Sequence, residues 1–267
     1  MNEDRALPET DLLYQRDSGL RSVEATVLGV DPEARTVALD RTVVFPGGGG
    51  QPCDEGMLTR LADDCQWPVL AARKAGGVVW HELGGEDPLP DVTDRVRVEL
   101  DWERRYRLMR MHTALHVLCG VVFRDYGALV TGGNMGPDRA RMDFEMDSAD
   151  FTPERVAEIE QRANEELRAG RDVRVQILPR DEAFKIPDLI RTKINLLPEG
   201  IAEVRTVEIA GLDLQADGGT HVQNTQEVGT LRVVGTRSKG KANKRLEIEL
   251  SEPAGSETMR KSEGQQA

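Results

Sequence analysis

Residues 23–45, VEATVLGVDPEARTVALDRTVVF, decide the fold of the first part of the chain. The segment contains three short runs rich in β-prone residues, at 23–30, 36–39 and 42–45. The turn signal Asp31-Pro32 separates the first two runs, and a further run lies at residues 78–83. Short β-prone runs broken by turn residues are typical of antiparallel barrels and sandwiches. The pattern therefore predicts a small β-barrel or sandwich over residues 1–93.

The character of the sequence changes near residue 94. An alternating run at residues 95–100 predicts a half-buried strand, and we place the domain boundary just before it. Farther on, Thr152 and Pro153 form a helix start signal, and apolar residues recur at helical spacing from there up to Gly170. The second half of the chain is therefore expected to contain an amphipathic helix.

The remaining apolar runs of the second half predict strands. They lie at residues 173–177, 204–209, 231–234 and 246–250, the last two as a closing hairpin. Because helices and strands follow one another in no strict β-α repeat, we predict an α+β domain at residues 94–250. The segment 251–267 has almost no apolar content and is predicted to be disordered.

The overall charge argues against a generally basic nucleic-acid binder. The 267 residues include 35 basic and 47 acidic side chains, which gives a net charge of −12, so a nucleic acid would need a local basic patch. Residues 228–246 carry six basic residues and no acid: Arg232, Arg237, Lys239, Lys241, Lys244 and Arg245. A second group is Arg104, Arg105, Arg107 and Arg110. Either group is a candidate phosphate contact or, alternatively, a solvated face.

The cysteines and the start of the chain indicate a cytoplasmic protein. Cys53, Cys65 and Cys119 are an odd set without metal-type or redox-type spacing, so we expect reduced thiols rather than a disulfide framework. The chain opens with acidic residues, and no apolar run is long enough for a signal-peptide core or a membrane span.

Three of the four histidines lie in two short segments that resemble a metal-binding or catalytic site. His112 and His116 are four residues apart, so on a helix both imidazoles project from one face and can bind one metal ion. In Asp217-Gly-Gly-Thr-His221 a carboxylate and an imidazole flank two glycines, which suits a tight loop. The alternatives are a hydrogen-bonded histidine pair and an ordinary surface turn. Together the two segments offer a nitrogen-rich donor set suited to Zn²⁺ with a position left for water.

Four consecutive glycines mark a third segment, FPGGGGQP at residues 45–52. Glycines let backbone amides approach a ligand closely, which makes Gly48, Gly49, Gly50 and Gln51 candidate substrate contacts. The segment has neither the Gly-Lys-Ser/Thr of a phosphate-binding loop nor the spacing of a dinucleotide site. The alternative is a flexible hairpin tip.

The order of these motifs resembles one family. Residues 45–51 with Asp54 and Gly56, then residues 112–116, then residues 218–222 are similar to the signature of the editing portion of alanyl-tRNA synthetase and of its free-standing relatives, the medium-length AlaX proteins. The resemblance covers nearly the whole chain except the tail. It implies an α+β protein in which a small N-terminal β-barrel domain carrying the glycine motif precedes an α+β editing domain.

The resemblance also implies an activity, the hydrolysis in trans of the ester that joins serine, or glycine, to the tRNA for alanine. A synthetase pocket shaped for alanine cannot exclude glycine by size, and serine differs by one hydroxyl, so a second, hydrolytic site is useful. The resemblance further implies a metal site formed by His112, His116, Asp217 and His221, in which His116 is also catalytic. Thr131 would supply a hydroxyl near the substrate, or is an ordinary turn residue. Lys239, Lys241, Lys244 and Arg245 would contact the tRNA.

One position departs from the commonest family pattern. Asp217 stands where many members have cysteine, and a carboxylate is a harder donor than a thiolate, so Mn²⁺ or Fe²⁺ becomes an alternative to Zn²⁺. Asp217 could instead lie outside the set of direct ligands. Two other functions remain open: a metal-dependent hydrolase of small esters or amides, and a non-catalytic tRNA-binding module with a degraded metal site.

Overall fold

The structure is a computed structural model that describes residues 7–195, 197, 200–238, 240 and 242–252. The chain divides into two compact units, Met1–Arg107 and Leu108–Ala267. The first unit is built on β-strands, and the second combines helices with two sheets.

The first unit is a closed β-barrel. Its strands within the described residues are β1 (Asp11–Leu12), β2 (Ser22–Asp31), β3 (Thr36–Leu39), β4 (Arg41–Thr42), β5 (Gly56–Arg60), β6 (Gln66–Ala75), β7 (Val78–Leu83) and β8 (Arg95–Leu100). Six of these strands close the barrel in the antiparallel order β2-β3-β7-β6-β5-β8, while β1 and β4 form a short parallel pair. The predicted barrel is therefore confirmed.

Strand β8 belongs to the barrel, whereas the sequence analysis assigned it to the start of the second domain. Its residues alternate between exposed and buried, as the pattern predicted. However, β8 pairs with both β2 and β5 and so closes the barrel. The sequence placed the domain boundary after residue 93, whereas the two compact units divide between Arg107 and Leu108. Alternation reports that one face of a strand is buried, but it does not report which strands pair with it.

The third β-prone run of the sequence forms only the two-residue strand β4. Val43, Val44 and Phe45 are buried but irregular. Side chains satisfy three of their backbone groups. Arg105 donates to the carbonyl of Val43 at 2.6 Å, the amide of Val44 donates to Thr42 at 3.0 Å, and the amide of Phe45 donates to Asp54 at 2.7 Å. Buried backbone without a strand partner is stable here because these bonds replace the ladder.

The second unit is α+β, as predicted. Its elements are α1 (Trp102–Tyr126, which begins before the division between the units), β9 (Val130–Met135), β10 (Arg139–Glu145), α2 (Pro153–Arg168), β11 (Val173–Pro179), α3 (Arg180–Ala183), β12 (Glu203–Ile209), β13 (Asp213–Ala216), β14 (Thr230–Ser238) and β15 (Asn243–Ser251). The strands form two antiparallel sheets, β14-β15-β10-β9 and β11-β12-β13.

Two predicted features of this unit are confirmed in detail. Helix α2 starts where expected: the Thr152 side chain accepts the amide of Arg155, and Pro153 takes the first helical position. The predicted closing hairpin is the pair β14 and β15. Helix α1 differs from an ordinary amphipathic helix, because every residue from 108 to 122 is buried. Polar side chains on this stretch are therefore enclosed by protein.

The C-terminal prediction is corrected at its start. Ser251 ends β15, and Glu252 pairs with Arg110 at 3.1 Å, so these two residues are ordered. Residues 253–267 lie outside the described part of the chain. Among the described helices, none combines the length and the apolar character that a membrane crossing requires.

Candidate metal centre

Helix α1 supplies two imidazoles to one side of the second unit. His112 and His116 are one turn apart, both are buried, and their ring centroids lie 5.1 Å from each other. Residues four apart on an α-helix share a face, which is the arrangement that the sequence predicted. Because the surrounding residues of α1 are buried as well, both imidazoles are held in a largely water-excluded environment.

The loop after β13 supplies the other two groups. Asp217 follows the last residue of β13, and its Oδ2 accepts the amide of Gly219 at 2.7 Å. This bond turns the chain back, so that Nε2 of His221 lies 3.0 Å from the same carboxylate oxygen. The His221 ring stacks on that of His112 with 4.2 Å between centroids. The two-glycine loop is therefore tight, as predicted, and it also brings the His221 ring against His112.

The four groups form one cluster. One donor atom from each of His112, His116, Asp217 and His221 lies within 4.8 Å of all the others. Nε2 of His112 is 3.5 Å from Oδ1 of Asp217, so the carboxylate faces two imidazoles with its two oxygens. Three nitrogen donors from buried histidines and one oxygen donor from the half-buried Asp217 match the ligand chemistry of Zn²⁺ and related divalent ions. The donor set thus fits a metal ion, whose identity the geometry leaves open.

Burial keeps two of these imidazoles neutral. It lowers the pKa of His112 to about 4, although the charge of Asp217 opposes the shift. Burial, together with the neighbouring His112, also holds the pKa of His221 well below its usual value. A neutral imidazole has the free lone pair that binds a metal ion, whereas a protonated one does not. Both rings are therefore in the ligating form at neutral pH.

The pKa values of the other two groups, His116 and Asp217, shift in the direction opposite to the one that burial alone would cause. Burial would lower the pKa of His116, but the nearby carboxylates of Asp213 and Asp217 outweigh it, so this pKa is raised. Burial would likewise raise the pKa of Asp217, yet the neighbouring His112 and His221 hold it well below its usual value. Asp217 is consequently an anion in the centre of the cluster.

The glycine segment belongs to the first unit. Gly47, Gly48, Gly49 and Gly50 all have positive φ, a conformation that glycine adopts readily and other residues rarely do. Gly48 and Gln51 close the turn by exchanging backbone hydrogen bonds of 3.0 and 2.9 Å. Gly48 and Gly49 are exposed and Gly50 is half-buried, whereas the side chain of Gln51 is buried. The exposed backbone therefore remains a candidate contact, and the Gln51 side chain is not presented at the surface.

Two of the predicted phosphate contacts are engaged inside the protein. Lys244 is buried, and its Nζ donates to Ser148 and Ser238 at 3.0 and 2.8 Å and to a backbone carbonyl. Arg245 forms a two-pronged ion pair with Asp143 at 2.6 and 2.8 Å. The sequence predicted that both contact tRNA, whereas the structure shows both with partners inside the protein. A run of basic residues in a sequence does not show which groups on other strands pair with these residues in the fold. Lys239 and Lys241 lie outside the described residues.

The basic group at the start of α1 is also largely structural. Arg105 is buried on Asp54, and Arg110 is buried and donates to the carbonyls of Val228 and Ser251. Arg104 pairs with Glu55 at 3.0 Å. Of the predicted basic residues, Arg232 and Arg237 on β14 are exposed.

Thr131, the predicted catalytic hydroxyl, lies on β9. Its side chain is exposed and donates to Oδ1 of Asn243 on β15 at 3.1 Å. The residue is therefore in a strand rather than in a turn, and its hydroxyl bonds to a residue of β15, which lies beyond β10 in the same sheet.

The structure also reveals polar residues around the cluster that the sequence analysis did not select. Arg205 on β12 is buried and donates to the backbone carbonyl of Asp217 at 2.9 Å. Asp213 and Gln215 lie on β13, and Oδ2 of Asp213 is 3.3 Å from Nδ1 of His116. A signal was present in the sequence: Asp213, Gln215 and Asp217 alternate, which places them on one side of an extended segment.

Comparison with known proteins agrees with these motifs. Residues 204–247 match the model of the threonyl and alanyl tRNA synthetase second additional domain. The alanyl-tRNA editing protein AlaX-M of Methanosarcina barkeri is 39% identical over 243 residues, which is 90% of this chain and 99% of that protein. The AlaX-M protein of Saccharolobus solfataricus is 36% identical over 89% of this chain and 97% of its own length.

A longer relative contains the same region. The alanine–tRNA ligase of Thermofilum pendens is 39% identical over 228 residues, which cover 85% of this chain but 24% of the ligase. The chain thus matches the free-standing editing proteins over nearly their whole length. The chain belongs to the AlaX-M family of alanyl-tRNA editing proteins.

Proposed function

We propose that this protein is an aminoacyl-tRNA deacylase that hydrolyses mischarged tRNA for alanine in trans, with the seryl ester as main substrate and the glycyl ester as a second one. The observation that carries the proposal is the buried cluster of His112, His116, Asp217 and His221 in a chain of the AlaX-M family. A cluster of this kind suits the hydrolysis of a carboxylic ester.

The need for such an activity follows from limited discrimination in binding. A site built for alanine rejects serine only weakly, because the extra hydroxyl adds little volume. A hydrolytic site can select in the opposite direction, since a pocket that hydrogen-bonds the serine hydroxyl leaves a polar group unpaired when alanine enters. The correctly charged tRNA is then spared.

The four residues of the cluster would hold one divalent ion. Zn²⁺ is the first candidate, and Mn²⁺ or Fe²⁺ is the alternative because Asp217 is a harder donor than the cysteine common at this position. When bound, the ion would supply a Lewis acid at the ester carbonyl. The chain prepares this site by keeping His112 and His221 neutral and Asp217 ionised.

Other residues of the chain would bind and orient the substrate. We assign Thr131 a hydroxyl contact near the aminoacyl group, supported by its exposure and by the neighbouring Asn243. The exposed backbone of Gly48 and Gly49, with the half-buried Gly50, would contact the tRNA. Lys239 and Lys241 remain candidate phosphate contacts on the basis of sequence alone.

The test compares substrates and one histidine variant. We expect the wild type to deacylate seryl-tRNA(Ala) and to leave alanyl-tRNA(Ala) and free aminoacyl esters largely intact. His116→Ala should lower the rate by about 100-fold or more, because loss of the metal centre costs several kcal/mol of transition-state stabilisation.

A matched control separates this effect from general damage to the fold. His81 is also a buried histidine, but it lies in the barrel and bonds to Thr42 at 2.8 Å. His81→Gln should retain the bound metal and the activity. Rapid hydrolysis of free esters without tRNA preference would indicate the small-ester hydrolase. Binding of tRNA without deacylation would indicate the non-catalytic module.

A further inference from the structure

A buried polar network lies beside His116, next to its Nδ1 atom. Oδ2 of Asp213 is 3.3 Å from Nδ1 of His116, and the Asp213 side chain is fully buried. Among the described residues, Nδ1 of His116 has no hydrogen-bond partner of good geometry. The Asp213 carboxylate is therefore the acceptor within reach of this nitrogen.

Asp213 is held in place from two sides. Nε2 of Gln215 donates to its Oδ2 at 2.6 Å, and Nε of Arg191 lies 3.4 Å from its Oδ1. The Arg191 guanidinium in turn stacks on the ring of Phe123, 3.7 Å from the centroid. A buried ion pair is weak evidence for stability, because the cost of desolvating two charges often exceeds their attraction. The network therefore calls for a role other than stabilising the fold.

A glycine in α1 makes the approach of Asp213 possible. Gly120 is one helical turn after His116, and a Cβ at this position would lie 3.0 Å from Cβ of Asp213 and 2.9 Å from Cγ of Leu212. Any larger residue would push the start of β13 away from the helix. Glycine is a poor helix former, so its presence in the middle of a buried helix is explained by this close approach.

We infer that Asp213 is a positioning residue for His116: its carboxylate accepts the Nδ1–H of the imidazole and thereby fixes the tautomer in which Nε2 faces the metal cluster. The histidine ligands of metal sites commonly donate their other ring nitrogen to a carboxylate, which orients the ring and raises its basicity as a ligand. The inference rests on the proposed metal centre and adds a residue that acts through a ligand rather than on the ion.

The test measures metal affinity in a matched pair of variants. Asp213→Asn and Asp54→Asn each neutralise a fully buried aspartate that faces an arginine, but only Asp213 lies beside a histidine of the cluster. We expect the Zn²⁺ dissociation constant, measured by competition with a chelator, to rise about 10–100-fold in Asp213→Asn. In Asp54→Asn the dissociation constant should stay at the wild-type value, although the protein becomes less stable.

A second variant leaves every polar group in place. Gly120→Ala adds only a methyl group between α1 and β13, and we expect it to weaken Zn²⁺ binding by displacing Asp213. Nitrogen-15 NMR of the metal-free wild type at alkaline pH should in addition show the proton of the neutral His116 ring on Nδ1. This readout reports the tautomer, which a merely structural role of Asp213 would not determine.

The outcomes distinguish this inference from the proposed function. If the wild type binds Zn²⁺ while Asp213→Asn and Gly120→Ala bind it equally well, the positioning role is wrong and the metal centre stands. If the wild type binds none of Zn²⁺, Mn²⁺ and Fe²⁺, the metal centre and the positioning role fail together. Weakened binding in both variants, with Asp54→Asn unchanged, supports the inference.

Discussion

Nε2 of His221 lies 3.0 Å from Oδ2 of Asp217, four residues earlier in the chain, and the second oxygen of that carboxylate lies 3.5 Å from Nε2 of His112. The aspartate that replaces the commoner cysteine thus faces the imidazoles. The amide of Gly219 donates to it at 2.7 Å and holds this orientation. The Asp217 carboxylate therefore lies within reach of an ion held by these imidazoles.

The identity of residue 217 should set the metal preference. We expect Asp217→Cys to raise the affinity for Zn²⁺ relative to Mn²⁺, because a thiolate is a softer donor than a carboxylate. The measurement is the ratio of the two dissociation constants, and Asp217→Ala should weaken the binding of both ions. An unchanged ratio in the cysteine variant would show that residue 217 does not contact the ion.

The hydroxyl of Thr131 should affect the rate of deacylation and not the affinity for the metal ion. We expect Thr131→Val to slow the deacylation of seryl-tRNA(Ala) about tenfold, the equivalent of one hydrogen bond, at an unchanged Zn²⁺ affinity. Thr131→Ser keeps the hydroxyl and should retain most of the rate. A valine variant as fast as the wild type would rule out this role.

His81 should make the barrel sensitive to acid. Burial lowers its pKa to about 4, so the unfolded chain takes up a proton at a higher pH than the folded one does. The barrel should therefore lose stability as the pH falls from 6.5 to about 4, by about 3 kcal/mol in total, and keep it above that window. Urea unfolding across this range checks the slope, which His81→Gln should flatten. An equally steep slope in the variant would assign the effect to other groups.

The buried pair of Arg105 and Asp54 should be essential to the first unit. Both side chains are almost fully enclosed, so Asp54→Ala leaves an arginine buried without its partner and should cost about 3–5 kcal/mol of unfolding free energy. All three tryptophans of the chain lie between residues 67 and 102, so their fluorescence reports on this unit. Arg16→Ala breaks an exposed pair with Asp11 and should change little. Equal effects of the two variants would contradict this prediction.

Lys239 and Lys241 should control the salt dependence of tRNA binding. We expect the double variant Lys239→Gln/Lys241→Gln to lower the slope of log affinity against log salt by about 2. Lys74→Gln replaces an exposed lysine of the barrel and serves as the control. Lys244→Gln should instead lower stability, because its ammonium group bonds inside the protein. An unchanged slope in the double variant would exclude the segment from the tRNA interface.

Much of the site could be predicted because its signals are local. His112 and His116 share a helical face through their spacing, and two glycines between Asp217 and His221 allow the tight loop. Both facts depend only on backbone geometry within a few residues. The barrel, the start of α2 and the closing hairpin were predictable for the same reason, since turn residues, capping residues and alternation act over short distances.

Other parts required the folded chain. The sequence alone indicated several of the strands, helix α2 and the residues that could bind a metal. Only the tertiary structure decided that β8 closes the barrel, that Lys244 and Arg245 bond within the protein and that Asp213 lies behind His116. These outcomes depend on contacts between residues far apart in the chain. Their free energy arises from packing, burial and charge pairing in the complete fold, which periodicity and composition do not encode.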